Sequence, residues 1–179
     1  MTADSLSDAA ACLRHWAIDR GLPLWAAAGF DHQHGRFVER LTLQGMPLPD
    51  VPARLLVQAR QVYSYALAAR RGWYGEAKQL TERAFASMVR DYRGPDGRAG
   101  WVFSIHRDGS VADPRRDLYS HAFVLLAAGS YFQVTGDRSA LAVADGTLAY
   151  LDTDLRAPRG GGYLEGNTTS NAPRRQTGY

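Results

Sequence analysis

The chain holds 179 residues, 45% of them apolar, which is long enough for one well-packed domain and short for two. Its 21 basic and 18 acidic residues give a pI near 9.2, but Lys78 is the sole lysine, and the arginines are scattered without interleaved aromatics, which argues against nucleic acid as a partner. The single cysteine, Cys12, excludes an internal disulfide framework and fits a reducing, cytoplasmic setting, while the lack of any run of 18 apolar residues argues against a membrane span and no signal peptide is expected.

Leu6, Ala9, Ala10, Leu13, Trp16 and Ala17 recur at helical spacing behind Ser5 and Asp8, which resemble a capping box. Gly21 and Pro23 are expected to stop that one-faced helix, and Leu24 to Phe37 to form a glycine-containing connection. Phe37 and Val38 begin an extended piece with Glu39 and Arg40 at its exposed edge. From Pro52 to Arg71 the chain reads as a helix with no wide polar face, ended by Gly72. Gln58, Arg60 and Gln61 sit in the middle of that helix and must turn into protein or a cavity. A permanently charged Arg60 there requires either a carboxylate partner or a polar pocket.

Ala77, Leu80, Ala84, Met88 and Tyr92 mark a second one-faced helix, with Lys78, Glu82, Arg83 and Arg90 on its wet side. Gly94 to Gly97 forms a turn, Trp101 to Ile105 a short strand, and Asp108 with Gly109 a hairpin signal. Residues 116–135 are apolar all round, Leu141, Ala144, Leu148 and Leu151 mark another one-faced helix, and Gly160 to Tyr163 opens a further extended piece.

A repeat runs beneath this alternation. Gly35-Arg36-Phe37, Gly100-Trp101 and Gly162-Tyr163 occupy equivalent places, their glycines 65 and 62 residues apart. Gly45 and Gly109 lie 64 apart, as do Gly72 and Gly136, and Ala77 and Ala140 lie 63 apart. Stacked units of outer helix, short hairpin and inner helix account for that beat. Inner helices buried on both sides fit a closed ring better than an open solenoid. Six such units need about 380 residues, so this chain carries fewer than three.

The segments LWAAAGFD, RLLVQARQVYSYALAARRGW, DGSVADPRRDLYSHAFVLLAAGSYFQVTGD and APRRQ together resemble the N-terminal half of the N-acylglucosamine 2-epimerase superfamily, in its mannose isomerase branch. The resemblance implies an all-α (α/α)₆ toroid with short β-hairpins in its connections, here cut to about half the ring, with residues 1–179 forming part of one domain. It also implies metal-free, cofactor-free interconversion of sugars by proton transfer beside the carbonyl, as mannose–fructose isomerisation or, in the alternative, 2-epimerisation of N-acylglucosamine or cellobiose; the other reading is a non-catalytic helical-repeat module that binds a sugar or a partner.

Such chemistry needs a near-neutral general base, an acid, and a cation or donor for the enediolate oxygen. By resemblance, Arg60 matches a pocket arginine and Tyr119 a pocket tyrosine, although a tyrosine on a buried helix also reads as a packed ring. His121 is the third substrate-binding candidate. It lies about 200° round the helix from Tyr119, so a packed, hydrogen-bonded ring is its expected fate. His32 and His34 lack further ligands at metal spacing, so no metal site is expected. His15 and His106 read as surface groups. Asp113, Asp117 and Glu39 are expected in structural ion pairs, Asp117 with Arg115, Arg116 or Arg60. Trp25 and Trp101 at strand ends are expected to plug the mouth of the ring.

Two departures from the family pattern stand out. Gln176 is followed by Thr177-Gly178-Tyr179 where the resemblance leads one to expect an asparagine and histidines, and Ser120 stands where an aspartate is usual. The family's catalytic histidines lie beyond residue 179, so no catalytic residue is assigned and the chain is expected to be an inactive piece of a longer protein. Its expected partners are a small-molecule sugar and, through the open edge of the half ring, itself.

Overall fold

The computed structural model describes residues 3–167 and 174–175. Helix α1 (Ala3–Trp16) passes through a π-helical turn (Ala17–Gly21) into α2 (Leu22–Ala27), so Gly21 and Pro23 do not end the helical run. The Leu22 N–H reaches back five residues to the Ala17 carbonyl. Pro23, at the start of α2, sits where its missing donor costs little. Ser5 and Asp8 lie inside α1 and not at its cap, and the predicted apolar stripe is uncovered, with Leu6, Leu13 and Trp16 59%, 68% and 59% exposed.

Two short strands follow, β1 (Phe30–Asp31) and β2 (Arg36–Phe37), paired antiparallel with Phe30 opposite Phe37. Next come β3 (Ala53–Arg54), the inner helix α3 (Leu55–Arg71) and the outer helix α4 (Ala77–Tyr92). The second unit continues with β4 (Ser104–Ile105), β5 (Val111–Asp113), β6 (Arg116–Asp117) and the inner helix α5 (Leu118–Thr135). The outer helix α6 (Ser139–Tyr150) runs into a π turn (Leu151–Leu155), then β7 (Leu164–Asn167) and β8 (Arg174–Arg175).

The beat of the sequence is present in the backbone. Phe30–Phe37, Arg93–Trp101 and Arg156–Tyr163 are antiparallel pairs closing the same hairpin in three units. Gly35, Gly100 and Gly162 before the second partner have φ of 73°, 79° and 80°, which only glycine adopts without strain. Gly72 and Gly136 end α3 and α5 in the left-handed conformation. The strand leading into each inner helix pairs with the next unit: β3 with β4 and then β5, β6 with β7 and then β8.

The outer helix α4 matches its predicted stripe, since Ala77, Leu80, Ala84, Met88 and Tyr92 are all buried. On α6 the buried face is instead Ala140, Val143, Thr147 and Tyr150, and Leu148 is 46% exposed. The strand predicted from Trp101 to Ile105 reduces to Ser104–Ile105, with Trp101 in an isolated bridge. Glu39, expected at an exposed edge, is 6% exposed, because its carboxylate takes the Arg54 amide at 2.8 Å and the Arg54 Nε at 2.6 Å. That places an anion at the N-terminus of α3, where the helix dipole favours one. No helix among the described residues is long and apolar enough to cross a membrane. Of the segment Ala172 to Gln176 that carried part of the family likeness, only the strand Arg174–Arg175 is described, and Thr177 to Tyr179 lie outside the described residues.

Candidate functional site

Two concavities flank the inner helices. One of about 340 Å³ lies at the N-terminal ends of α3 and α5, walled by Leu56, Phe103, Arg115, Asp117, Tyr119 and Glu165. A second of about 280 Å³ lies beside α3, among Trp25, Glu39, Val57, Arg60, Gln61 and Ser64. Arg60 and Tyr119 therefore line different hollows.

Phe123 joins them. The Arg60 guanidinium carbon lies 5.8 Å from the Phe123 ring centre, and the Tyr119 ring meets Phe123 edge-on at 5.0 Å. Phe123 was not singled out from the sequence, although it stands one 63-residue period after Arg60, as Tyr119 does after Leu56. Arg60 is exposed, and no carboxylate among the described residues lies within ion-pair distance of it, so the expected alternative of a structural pair does not hold. Glu39 shares its hollow but is occupied by Arg54, 2.6 Å away. Tyr119 is 60% exposed, which removes the packed-ring reading.

His121 takes the packed position. It is fully buried, stacked on Tyr150 at 4.8 Å, with Nδ1 2.7 Å from the Asp117 carbonyl and Nε2 accepting the Trp101 amide at 3.2 Å. Burial holds its pKa below the ordinary imidazole value, against the pull of Asp117. Both ring nitrogens are engaged with backbone, so neither faces a hollow. Its counterpart in the first unit is Gln58, whose side chain accepts the Phe37 amide at 3.0 Å and donates to the Phe37 carbonyl at 2.7 Å.

The charged residues around the larger hollow are largely spoken for. Arg116, 1% exposed, holds Asp96 through two bonds of 2.9 and 2.6 Å, and that contact brings the Asp96 carboxyl down to about 2. Arg115 stacks on Phe103 at 3.6 Å and pairs with Asp113 at 3.2 Å. Asp117 pairs with none of the arginines expected for it, Arg115, Arg116 or Arg60; its carboxylate caps α5 by accepting the Ser120 amide at 2.5 Å, a correction to the expected ion pair. The Ser120 hydroxyl is buried and has no hydrogen-bond partner among the described residues.

The remaining histidines lie apart from these hollows, and the two tryptophans part company. His34 Nδ1 is 2.8 Å from Asp31, His32 Nδ1 is 3.2 Å from the Arg83 guanidinium, and His15 and His106 are exposed. Trp101 is buried, donating its indole N–H to Thr147 at 3.0 Å, whereas Trp25 is half-buried in the hollow beside Arg60.

Residues 35–178 match the family described as N-acylglucosamine 2-epimerase (GlcNAc 2-epimerase). This chain belongs to the N-acylglucosamine 2-epimerase family. It is 40% identical over 128 residues to a mannose-6-phosphate isomerase of Rhizobium meliloti (strain 1021), covering 72% of this chain and 32% of that one. With a D-mannose isomerase of Thermobifida fusca it shares 33% over 150 residues, 83% of this chain and 36% of the relative. The solved structure of cellobiose 2-epimerase from Spirochaeta thermophila DSM 6192 superposes with a TM-score of 0.84 at 26% identity, covering 96% of this chain and 42% of that one. The family's (α/α)₆ barrel is thus the fold of this chain, in part, and the chain spans about a third of the length of these curated relatives.

Proposed function

We propose that this chain supplies one wall of the sugar pocket of an aldose–ketose isomerase acting on mannose-like sugars, within a single ring domain of which it forms roughly the first half. The observation that carries the reading is the run Arg60–Phe123–Tyr119 across the exposed faces of two neighbouring inner helices. Phe123 offers an apolar platform to a sugar ring, Tyr119 a hydroxyl, and Arg60 an unpaired cation. Together these suit an oxygen on which negative charge develops as the proton beside the carbonyl is removed.

The same residues hold no proton-shuttling pair. His121 is the one buried histidine among the described residues and is bonded on both nitrogens, so the acid and base of the reaction belong elsewhere in the ring. That engagement favours a second reading for the chain by itself, a sugar-binding module without turnover. Isomerisation and 2-epimerisation begin with the same proton abstraction, and nothing in the wall separates them. Its uncovered helix faces suit self-association.

Thermal-shift titration with mannose, fructose and N-acetylmannosamine tests the wall. Mannose raises the melting temperature of the wild-type chain by a few degrees, and Arg60→Ala removes the effect while leaving the unliganded melting point in place. No shift with any of the three sugars would defeat the reading.

A further inference from the structure

His121 and Gln58 perform one task in two successive units. In each, an inner-helix side chain accepts the backbone N–H of the aromatic residue that closes the hairpin, Gln58 from Phe37 and His121 from Trp101. The two differ in one chemical respect: an amide does not titrate and an imidazole does. Because the Trp101 amide can only donate, Nε2 must present its lone pair, which fixes the proton on Nδ1, where it is donated to the Asp117 carbonyl. Only the neutral ring satisfies both bonds at once.

The surroundings make that ring a junction. Trp101 ties the hairpin to α6 through Thr147, and Tyr150 of α6 stacks on the imidazole. A Cβ added to Gly100 would lie 2.7 Å from the Tyr150 ring, so hairpin and helix have no slack between them. On the other side, the Asp117 carbonyl receives the Nδ1 proton bond and its carboxylate caps α5, two residues before the exposed Tyr119. We propose that His121 is a positioning residue, a neutral splint that fixes the first turn of α5 to the second unit's hairpin, and that proton uptake releases it.

The charged groups acting on the ring are the Asp117 carboxylate, which favours protonation, and the Arg116 guanidinium, which opposes it and is itself held by Asp96. From α6 the facing groups are Thr147 and the Tyr150 phenol, and from the hairpin the Trp101 amide, none of them charged near neutrality. Protonation places a second N–H against the Trp101 N–H in a buried site, where the lost bond is not replaced by water. The folded ring resists a proton that the unfolded chain accepts at about 6.5, so the stabilisation is whole above that pH and declines below it.

That Tyr119 is what the splint positions for use rests on the sugar-pocket reading, whereas the splint itself is tested without sugar. Urea unfolding of wild type and His121→Gln between pH 8 and 5.5 isolates it, with glutamine taking the role Gln58 already has. Wild type loses up to about tenfold in its folding constant by pH 5.5 relative to His121→Gln, and the two agree at pH 8. In wild type, NMR finds the proton on Nδ1 at neutral pH. The Trp101 amide loses exchange protection and the Tyr119 ring resonances move with the midpoint of the His121 titration. Equal pH slopes for the two proteins, failure of His121→Gln to fold at pH 8, or Trp101 and Tyr119 signals that ignore the His121 titration would each overturn the proposal.

Discussion

Helices α3 and α5 are the same brick laid twice, yet the same positions fare differently in each. Ala59 and Ala66 on α3 are fully buried, while Ala122 and Gly129, one 63-residue period later on α5, are exposed. The opposite flank reverses the order: Ser120, Val124 and Ala127 of α5 are buried, and their counterparts Val57, Gln61 and Ser64 on α3 are half-buried or exposed. One flank of α3 meets one flank of α5, and each helix keeps the other flank free. Ala59 and Ala122 are the same residue with opposite burial, so at that position burial follows the neighbour and not the residue, whereas on the other flank the residues differ as well: Val57, Gln61 and Ser64 against Ser120, Val124 and Ala127.

The largest expected effect sharpens that contrast between Trp101 and Tyr163, which close the same hairpin in consecutive units. Trp101 is 2% exposed and Tyr163 is 38% exposed. Trp101→Ala is expected to cost about 3–5 kcal/mol in urea unfolding, as for a large core side chain removed, and Tyr163→Ala about 1 kcal/mol or less. Similar losses at the two sites would erase the distinction.

A smaller effect separates the helix flanks directly. Ala59→Leu forces extra volume into the closed seam and is expected to destabilise by about 1–3 kcal/mol, whereas Ala122→Leu on the free flank stays within about 0.5 kcal/mol. If Ala122→Leu proves as costly as Ala59→Leu, the free flank is covered in solution. Covering by another copy is the smallest effect sought. Light scattering is expected to give a mass above the 19.7 kDa of one chain, falling towards it in Leu126→Lys, whose leucine is 41% exposed beside that flank. A wild-type monomer at high protein concentration would count against self-association.

The repeat was legible because it is carried by glycines. Gly72 and Gly136 have to be left-handed, and Gly35, Gly100 and Gly162 have to precede their closing aromatics, so the backbone requirement is written in residue identity. The continuation of α1 into α2 was not legible, since Gly21 and Pro23 break an α-helix but are accommodated where a π turn shifts the hydrogen-bond register. Glu39 was misjudged for a related reason. A carboxylate in a short strand looks like an edge, and its partner Arg54 lies fifteen residues away across a hairpin.

For the candidate site, family likeness points to Arg60 and Tyr119, each with two readings, a paired or packed side chain and a pocket-facing one. A helix apolar on most sides leaves an arginine either a carboxylate partner or a pocket, and Arg60 stands on the exposed face of α3 at a hollow, where among the described residues its guanidinium meets the Phe123 ring. For His121 the helical angle was enough, because a residue about 200° from Tyr119 cannot share its direction. Phe123 is not legible as a site residue because phenylalanine on an apolar helix carries no chemical signal of its own. Its place one period after Arg60 was the only available mark.

The pairing of β3 with β4 and of β6 with β7 joins each unit to the next through main-chain donors and acceptors, which every residue except proline possesses in full. Such stitching is blind to side-chain identity, so mutation can rewrite the hairpins without unfastening them, in keeping with a TM-score of 0.84 at only 26% identity. A brick transplanted from a distant homologue would meet the same amides and carbonyls at its borders, which makes this architecture a natural substrate for chimera building.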